Sequence, residues 1–111
     1  MKTVVIINQH GMGHGDPELG RKILKTFLTK APGAFDSLEA IAFYNAGVRC
    51  LIEGSELLPA LSTLSDSGVD LLACGTCVDH LELRDKIRIG VVAGMDDILR
   101  EIEAAEKVVT V

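Results

Sequence analysis

Tryptophan is missing from the 111 residues, and one tyrosine with three phenylalanines brings the aromatic share to only 4%. So few rings argue against a stacking platform for bases or sugars, and they leave the core to Val, Ile, Leu and Ala. Positive charge is also short: 11 basic residues face 16 acidic ones, for a net charge of −5 and a pI near 5.1. Binding to phosphate backbones needs a clustered basic face, and the sequence shows none, so nucleic acid is not an expected partner. Long apolar runs are absent too. The run Met1 to Ile7 stops at Asn8 with no small-residue cleavage site behind it, and no stretch approaches the roughly 18 residues of a membrane helix. Cysteines number three, an odd count, and Cys74 and Cys77 stand too close to staple a fold. A cytoplasmic protein with reduced thiols, away from membranes, is expected.

What is present suits a packed globule: 48% apolar and 24% charged residues. At this length residues 1–111 form one expected domain, able to bury about 65% of its unfolded surface. Thr3 to Ile7 (TVVII) is a continuous β-branched run, the mark of a strand buried on both faces, and reads as the central strand. Pro17 suits a first helical turn, and Leu19, Ile23, Leu24, Phe27 and Leu28 keep helical spacing until Pro32 and Gly33, giving a helix over Pro17 to Lys30. Leu38 to Tyr44 reads as strand two with Asn45-Ala46-Gly47 as its exit loop, and Val48 to Ile52 fits either state. Ser55 to Leu64 reads as a helix with Pro59 in its first turn, and Val69 to Ala73 as strand three, followed by a short helix through His80 and Leu81. Ile87 to Val92 reads as strand four, Asp96 to Ala105 as a helix with Ile98, Leu99 and Ile102 inward, and Lys107 to Val111 as a final strand. Such alternation predicts an α/β three-layer sandwich on a mostly parallel five-stranded sheet with flavodoxin-like winding.

In sheets of this kind ligands gather outside the carboxyl ends of the strands. The segments leaving strands one to three are Asn8 to Asp16, Asn45 to Gly47 and Cys74 to Cys77. Cys74-Gly75-Thr76-Cys77 is the strongest signal. Thr76 followed by Asp79 resembles a helix N-cap with an acid in the first turn, which sets Cys77 at a helix start. Unpaired N–H groups and the helix dipole there favour thiolate over thiol, Asp79 opposes that shift, and Gly75 leaves Cys74 approachable from solvent. The alternative is that Cys74 is a small buried hydrophobe ending a strand. A structural zinc site would need a second C-x-x-C pair, and Cys50 is alone.

The loop His10-Gly11-Met12-Gly13-His14-Gly15-Asp16 matches a dinucleotide fingerprint poorly. His10, His14 and Asp16 are possible metal ligands, but a tight glycine turn with solvated histidines is the favoured reading. No metal or cofactor is expected. Cys50 reads as a packed thiol and His80 as a solvated surface imidazole.

The segments MGHGDPELGRKILKTFL, FYNAGVRCLIEGSELL and LLACGTCVDHLELRDKIRIGVVAGMDDI resemble the DsrE/DsrF-like superfamily, close to the C-terminal domain of YedF-type sulfurtransferase-like selenium metabolism proteins. The likeness spans nearly the whole chain, with G-D-x-E-L-G, N-x-G-V, E-G-S-E and C-G-T-C in the same order. It implies a prokaryotic cytoplasmic homo-oligomer, a trimer or hexamer, that carries sulfur or selenium as a cysteine persulfide. The relay cysteine of that family follows the third strand, which matches Cys74, with Cys77 to resolve or share the cargo. Gly13, Asp16, Asn45, Gly47, Gly75 and Thr76 are then the expected pocket for substrate or a small anion. The chain begins at strand one without the Cys-Pro motif of a TusA-like domain, so a TusA-like protein or a cysteine desulfurase is the expected separate donor or acceptor. His14 also stands where many relatives carry arginine. Two other readings remain open: a C-x-x-C dithiol oxidoreductase, against which all three prolines precede the motif, and an oligomeric module that binds a small anion or a partner without catalysis.

Overall fold

The computed structural model describes residues 2–111. Among these residues five parallel strands form one sheet in the order β4-β3-β2-β1-β5. In chain order the elements are β1 (Lys2–Ile7), α1 (Pro17–Ala34), β2 (Ser37–Phe43), a 3-10 helix (Asn45–Leu51), α2 (Leu58–Asp66), β3 (Asp70–Cys74), α3 (Gly75–His80), a 3-10 turn (Arg84–Lys86), β4 (Val91–Ala93), α4 (Met95–Ala104) and β5 (Lys107–Thr110). Every ladder is parallel. β1 pairs β2 from Lys2 opposite Ser37 to Ile7 opposite Phe43, with a bulge between Thr3 and Val4, and it pairs β5 along its other edge.

The period-2 alternation of side chains sorts β1 cleanly. Val5 and Ile7 join Ile41, Phe43, Leu71 and Ala73 on one face, where α1, α2 and α3 bring Leu24, Leu28, Leu61, Leu64 and Val78 against them. Val4 and Ile6 join Ala40, Ala42, Leu72 and Cys74 on the other face, where Ile98 of α4 is the buried helical contact. The winding therefore sends three crossovers to the first face and then turns back through α4 to set β5 beside β1.

Several expectations need correction. The middle strand is β2, with β1 one place off centre; both have neighbours on each side and layers on each face, so burial of the run could not tell them apart. α1 continues through Pro32 and Gly33 to Ala34, because the buried Ala31 accepts the Phe35 N–H at 3.0 Å and closes one more turn over the missing proline donor. Asn45-Ala46-Gly47 is the start of a 3-10 helix, and α2 begins at Leu58, after the fully buried Leu57. β4 is cut to three residues: Gly90, at φ +83, leaves the extended conformation at a point where a Cβ would stand 2.8 Å from the Leu71 carbonyl oxygen, and Ile87 instead bridges Ile52 antiparallel. Leu99 points outward, 53% exposed, while Ile98 is buried.

Candidate functional site

At the carboxyl end of β3 the chain turns directly into α3, with Cys74 as the N-capping residue, Gly75 first in the helix and Thr76 exposed beside it. The helix thus starts two residues earlier than Thr76 suggested, and Cys77 falls in its first turn. Cys74 is not approachable from solvent: it is 3% exposed, its sulfur on the second face of the sheet with Leu72 and Ile98. Cys77 is half-buried and touches both cores, so it is the more accessible sulfur of the pair. The two thiols are free and stand three residues apart at the same corner, near enough for Cys74 to bear on the Cys77 proton.

The Cys77 sulfur accepts the Asn45 backbone N–H at 3.0 Å. That donor is set by the end of β2: Asn45 takes a left-handed φ of +51, a conformation asparagine tolerates better than most residues. Two residues on, Gly47 packs so closely under β1 that a Cβ would stand 2.1 Å from the Ile7 carbonyl oxygen, so this turn admits glycine and no other residue without displacement. The Asn-x-Gly pattern thus builds the platform that aims an N–H at sulfur. Burial pushes the Cys77 thiol up from its ordinary value, and contact with Cys74 adds to this while the Asn45 N–H offsets part of it. The helix start therefore does not produce the resting thiolate that position alone suggested.

Asp79 does not act on the cysteines either. Arg84 holds its carboxylate by two bonds, at 2.7 and 3.0 Å, and keeps it below the usual carboxylate range. The same guanidinium reaches to 3.9 Å from where a Cβ on Gly75 would stand, so a cation flanks the Cys74-Gly75 corner. Nothing in the spacing of Arg84 announces this; it follows from the turn after α3.

The expected pocket residues fall into two groups. Asn45, Gly47, Gly75 and Thr76 belong to the cysteine end of the sheet. Gly13 lines a separate cavity of about 260 Å³ with His10, His14 and Arg21, and none of the cysteine-side residues lines it. Asp16 is occupied as the N-cap of α1, its carboxylate accepting the Glu18 and Leu19 N–H groups at 2.9 and 3.3 Å. His14 and His80 are exposed. His10 is half-buried rather than fully solvated: its Nε2 is buried without a partner, and desolvation with Arg21 and Arg49 nearby lowers its pKa. Among the described residues no three His, Cys, Asp or Glu side chains gather to hold a metal. Cys50 is fully buried, and burial pushes its thiol up to about 12. Among the described residues no helix is long and apolar enough to cross a membrane.

The model of the DsrE/DsrF-like family matches residues 1–111. Among solved structures, a protein of unknown function from Methanobacterium thermoautotrophicum, MTH1491, superposes with a TM-score of 0.72 at 22% identity, over 99% of this chain and 98% of its own. The ychN protein from E. coli gives 0.71 at 18% identity with both chains fully covered. A conserved protein of unknown function from Bacteroides thetaiotaomicron, BT1422, gives 0.66 at 17% over 98% of this chain and 94% of its own. No curated protein matches the sequence.

Proposed function

The chain belongs to the DsrE/DsrF-like family, which serves sulfur relay, and from that premise we propose that it is a sulfur carrier forming a persulfide on Cys74. Cys77 is the thiol that meets donor and acceptor. The observation that supports this reading is the pair of free thiols at the carboxyl end of β3, with the outer sulfur held by the Asn45 N–H at 3.0 Å.

In the proposed sequence, the Cys77 thiolate attacks the outer sulfur of a donor persulfide. The donor S–S bond breaks, the donor leaves as a thiolate and takes up the proton Cys77 gave, and Cys77 holds S–SH. The Cys74 thiolate then attacks that outer sulfur, leaving a persulfide on Cys74 and freeing Cys77. The reverse steps deliver the sulfur to an acceptor thiol, with no net oxidation. The Asn45 N–H stabilises the negative sulfur at Cys77 in each step, since hydrogen bonds to ionised acceptors are the stronger ones. Selenium follows the same steps. Because burial holds the Cys77 thiol above its ordinary value, attack waits on deprotonation, and loading accelerates as pH rises above neutral. A cysteine desulfurase or a TusA-like protein is the proposed donor or acceptor.

Peptide mass spectrometry after incubation with a cysteine desulfurase and cysteine tests this. Added sulfur mapped to Cys74 by fragmentation, only short-lived sulfur on Cys77 in Cys74→Ser and slow loading in Cys77→Ser are the expected results. Full, stable loading of Cys74→Ser overturns the assignment. The C-x-x-C spacing of two free thiols favours one other reading, thiol–disulfide exchange, in which Cys77 attacks the inner sulfur of the Cys74 persulfide and releases HS⁻. A mass loss of two hydrogens across Cys74 and Cys77, with no sulfur retained, would replace carriage by that exchange.

A further inference from the structure

The loop between β1 and α1 borders a cavity of about 260 Å³ that no cysteine lines. At roughly 30 Å³ for each water of the liquid, it has room for a solute of several heavy atoms. One side of the loop is clamped to α1: a Cβ on Gly11 would stand 2.9 Å from the Gly20 carbonyl carbon, and the Met12 N–H donates to the Gly20 carbonyl at 3.0 Å. Beyond the clamp, Gly13 and Gly15 take φ of +81 and +124 with open space where a Cβ would stand. Their N–H groups and that of His14 donate to no acceptor in the chain among the described residues. The loop therefore lines the cavity with bare backbone.

The side chains around the cavity are cationic on balance. Arg21 lines it from α1, and its Nε donates to the Glu56 carboxylate at 3.0 Å, which leaves both terminal NH2 groups of the guanidinium unpaired. Arg49, half-buried on the 3-10 helix, has no carboxylate partner among the described residues, and with Arg21 it lies close enough to bear on the His10 ring. Two guanidiniums thus stand against one carboxylate, Glu56, in a chain of net charge −5. Asp16 is turned to the Glu18 and Leu19 N–H groups and claims the start of α1, so the guanidinium, and not the helix dipole, is the anchor. His10 lines the same wall, its Nε2 buried and unpartnered. A buried nitrogen left unpaired is costly, and the chain supplies no group to relieve it.

We propose that this cavity binds a small molecule through an oxyanion, a carboxylate or a phosphoryl or sulfonyl group, with the free edge of Arg21 on two of its oxygens, the Gly13–Gly15 backbone against it and His10 on the wall behind. The planar fork of a guanidinium suits two oxygens of any of these groups. Around the His10 ring, Arg21 from α1 and Arg49 from the 3-10 helix oppose a proton, and Glu56 from the segment before α2 favours one. A bound anion offsets the two cations, so binding and protonation of His10 support each other. The site stands apart from the thiols and does not depend on persulfide carriage.

NMR titration of the 15N-labelled full chain tests it, with sulfate, whose charge is constant between about pH 5.5 and 7.5 where histidine titrates, and separately with acetate, at fixed ionic strength. Saturable shifts of the Gly13, His14 and Gly15 amides are expected, with a dissociation constant on the order of 1 mM, while the Cys74 and Cys77 amides stay in place. Arg21→Gln should weaken binding roughly 10-fold or more, as the loss of a charged hydrogen-bond donor does. Glu56→Gln, which releases Arg21 and removes the one facing acid, should tighten it several-fold, and it keeps the test readable if Arg21→Gln disturbs the fold. Lys22→Gln, exposed and outside the cavity, should change nothing. Sulfate should move the titration of the His10 ring to higher pH, so that affinity grows as pH falls. Tighter sulfate than acetate assigns a phosphoryl or sulfonyl ligand, and the reverse a carboxylate. No saturable shift with either ion up to about 50 mM, or one affinity shared by wild type, Arg21→Gln and Glu56→Gln, overturns the proposal.

Discussion

The two faces of the sheet differ in how completely they are sealed. On the first, three helices and a 3-10 segment cover the strands, and Phe43, Ile7, Leu24, Leu61 and Cys50 lie at or near zero exposure. On the second, α4 lies over strands whose inward residues include the small Ala40 and Ala42, and Val91 at the sheet edge stays 58% exposed. The thick face is a folding core, built of large aliphatic side chains. The thin face holds Cys74 and borders the uncovered apolar surface of α4, so the third layer is least complete on the side that carries the buried sulfur.

Three experiments break or sharpen this contrast. The largest effect is in thiol reactivity. Raising a thiol from 9.0 to about 12 cuts the thiolate fraction at neutral pH about 1000-fold, so Cys50 should resist alkylation in the folded protein while Cys77 reacts. Mass spectrometry of a timed alkylation reads the order, and early labelling of Cys50 would mean that the first face opens. In energy, Phe43→Ala should cost about 3–5 kcal/mol and Ile98→Ala about 2 kcal/mol, because the half-covered second face can collapse around the lost atoms. Equal losses in urea unfolding would remove the distinction. The smallest effect is at His10, on the rim of the first face. Its pKa is lowered by desolvation, so the folded state prefers the neutral ring. Its contribution is intact above the unfolded value of 6.5 and is lost as pH falls below it toward the lower folded value. Urea midpoints of wild type should therefore drop more than those of His10→Gln between about pH 7.5 and 5.5.

The alternation of elements, the buried character of TVVII and the cysteine pair at the end of β3 were legible because each rests on local pattern: period, turn residues and spacing. The Asn45-Ala46-Gly47 signal was legible as a site but not as a device. That asparagine would turn its N–H onto a sulfur 32 residues away depends on β2 and β3 lying side by side. The outward turn of Leu99 was misread because Ile98, Leu99 and Ile102 sit close on a helical wheel, and only the position of the sheet decides which of them meets it. His10 looked like a solvated loop residue, since its burial depends on packing of the loop against α1 and the 3-10 helix. Asp79 looked like a neighbour of the thiols until the turn after α3 brought Arg84 to it.

By itself, the sequence determined that this is an aliphatic α/β domain with its unusual residues at strand ends, since composition and hydrophobic period act over a few residues and do not depend on what lies across the sheet. The tertiary structure alone decided which sulfur is buried and which is offered, and that the glycine loop and the cysteine pair are two places. Those properties come from strand order and register, which join residues dozens of positions apart and set the solvent exposure that governs a thiol's proton and a side chain's partners.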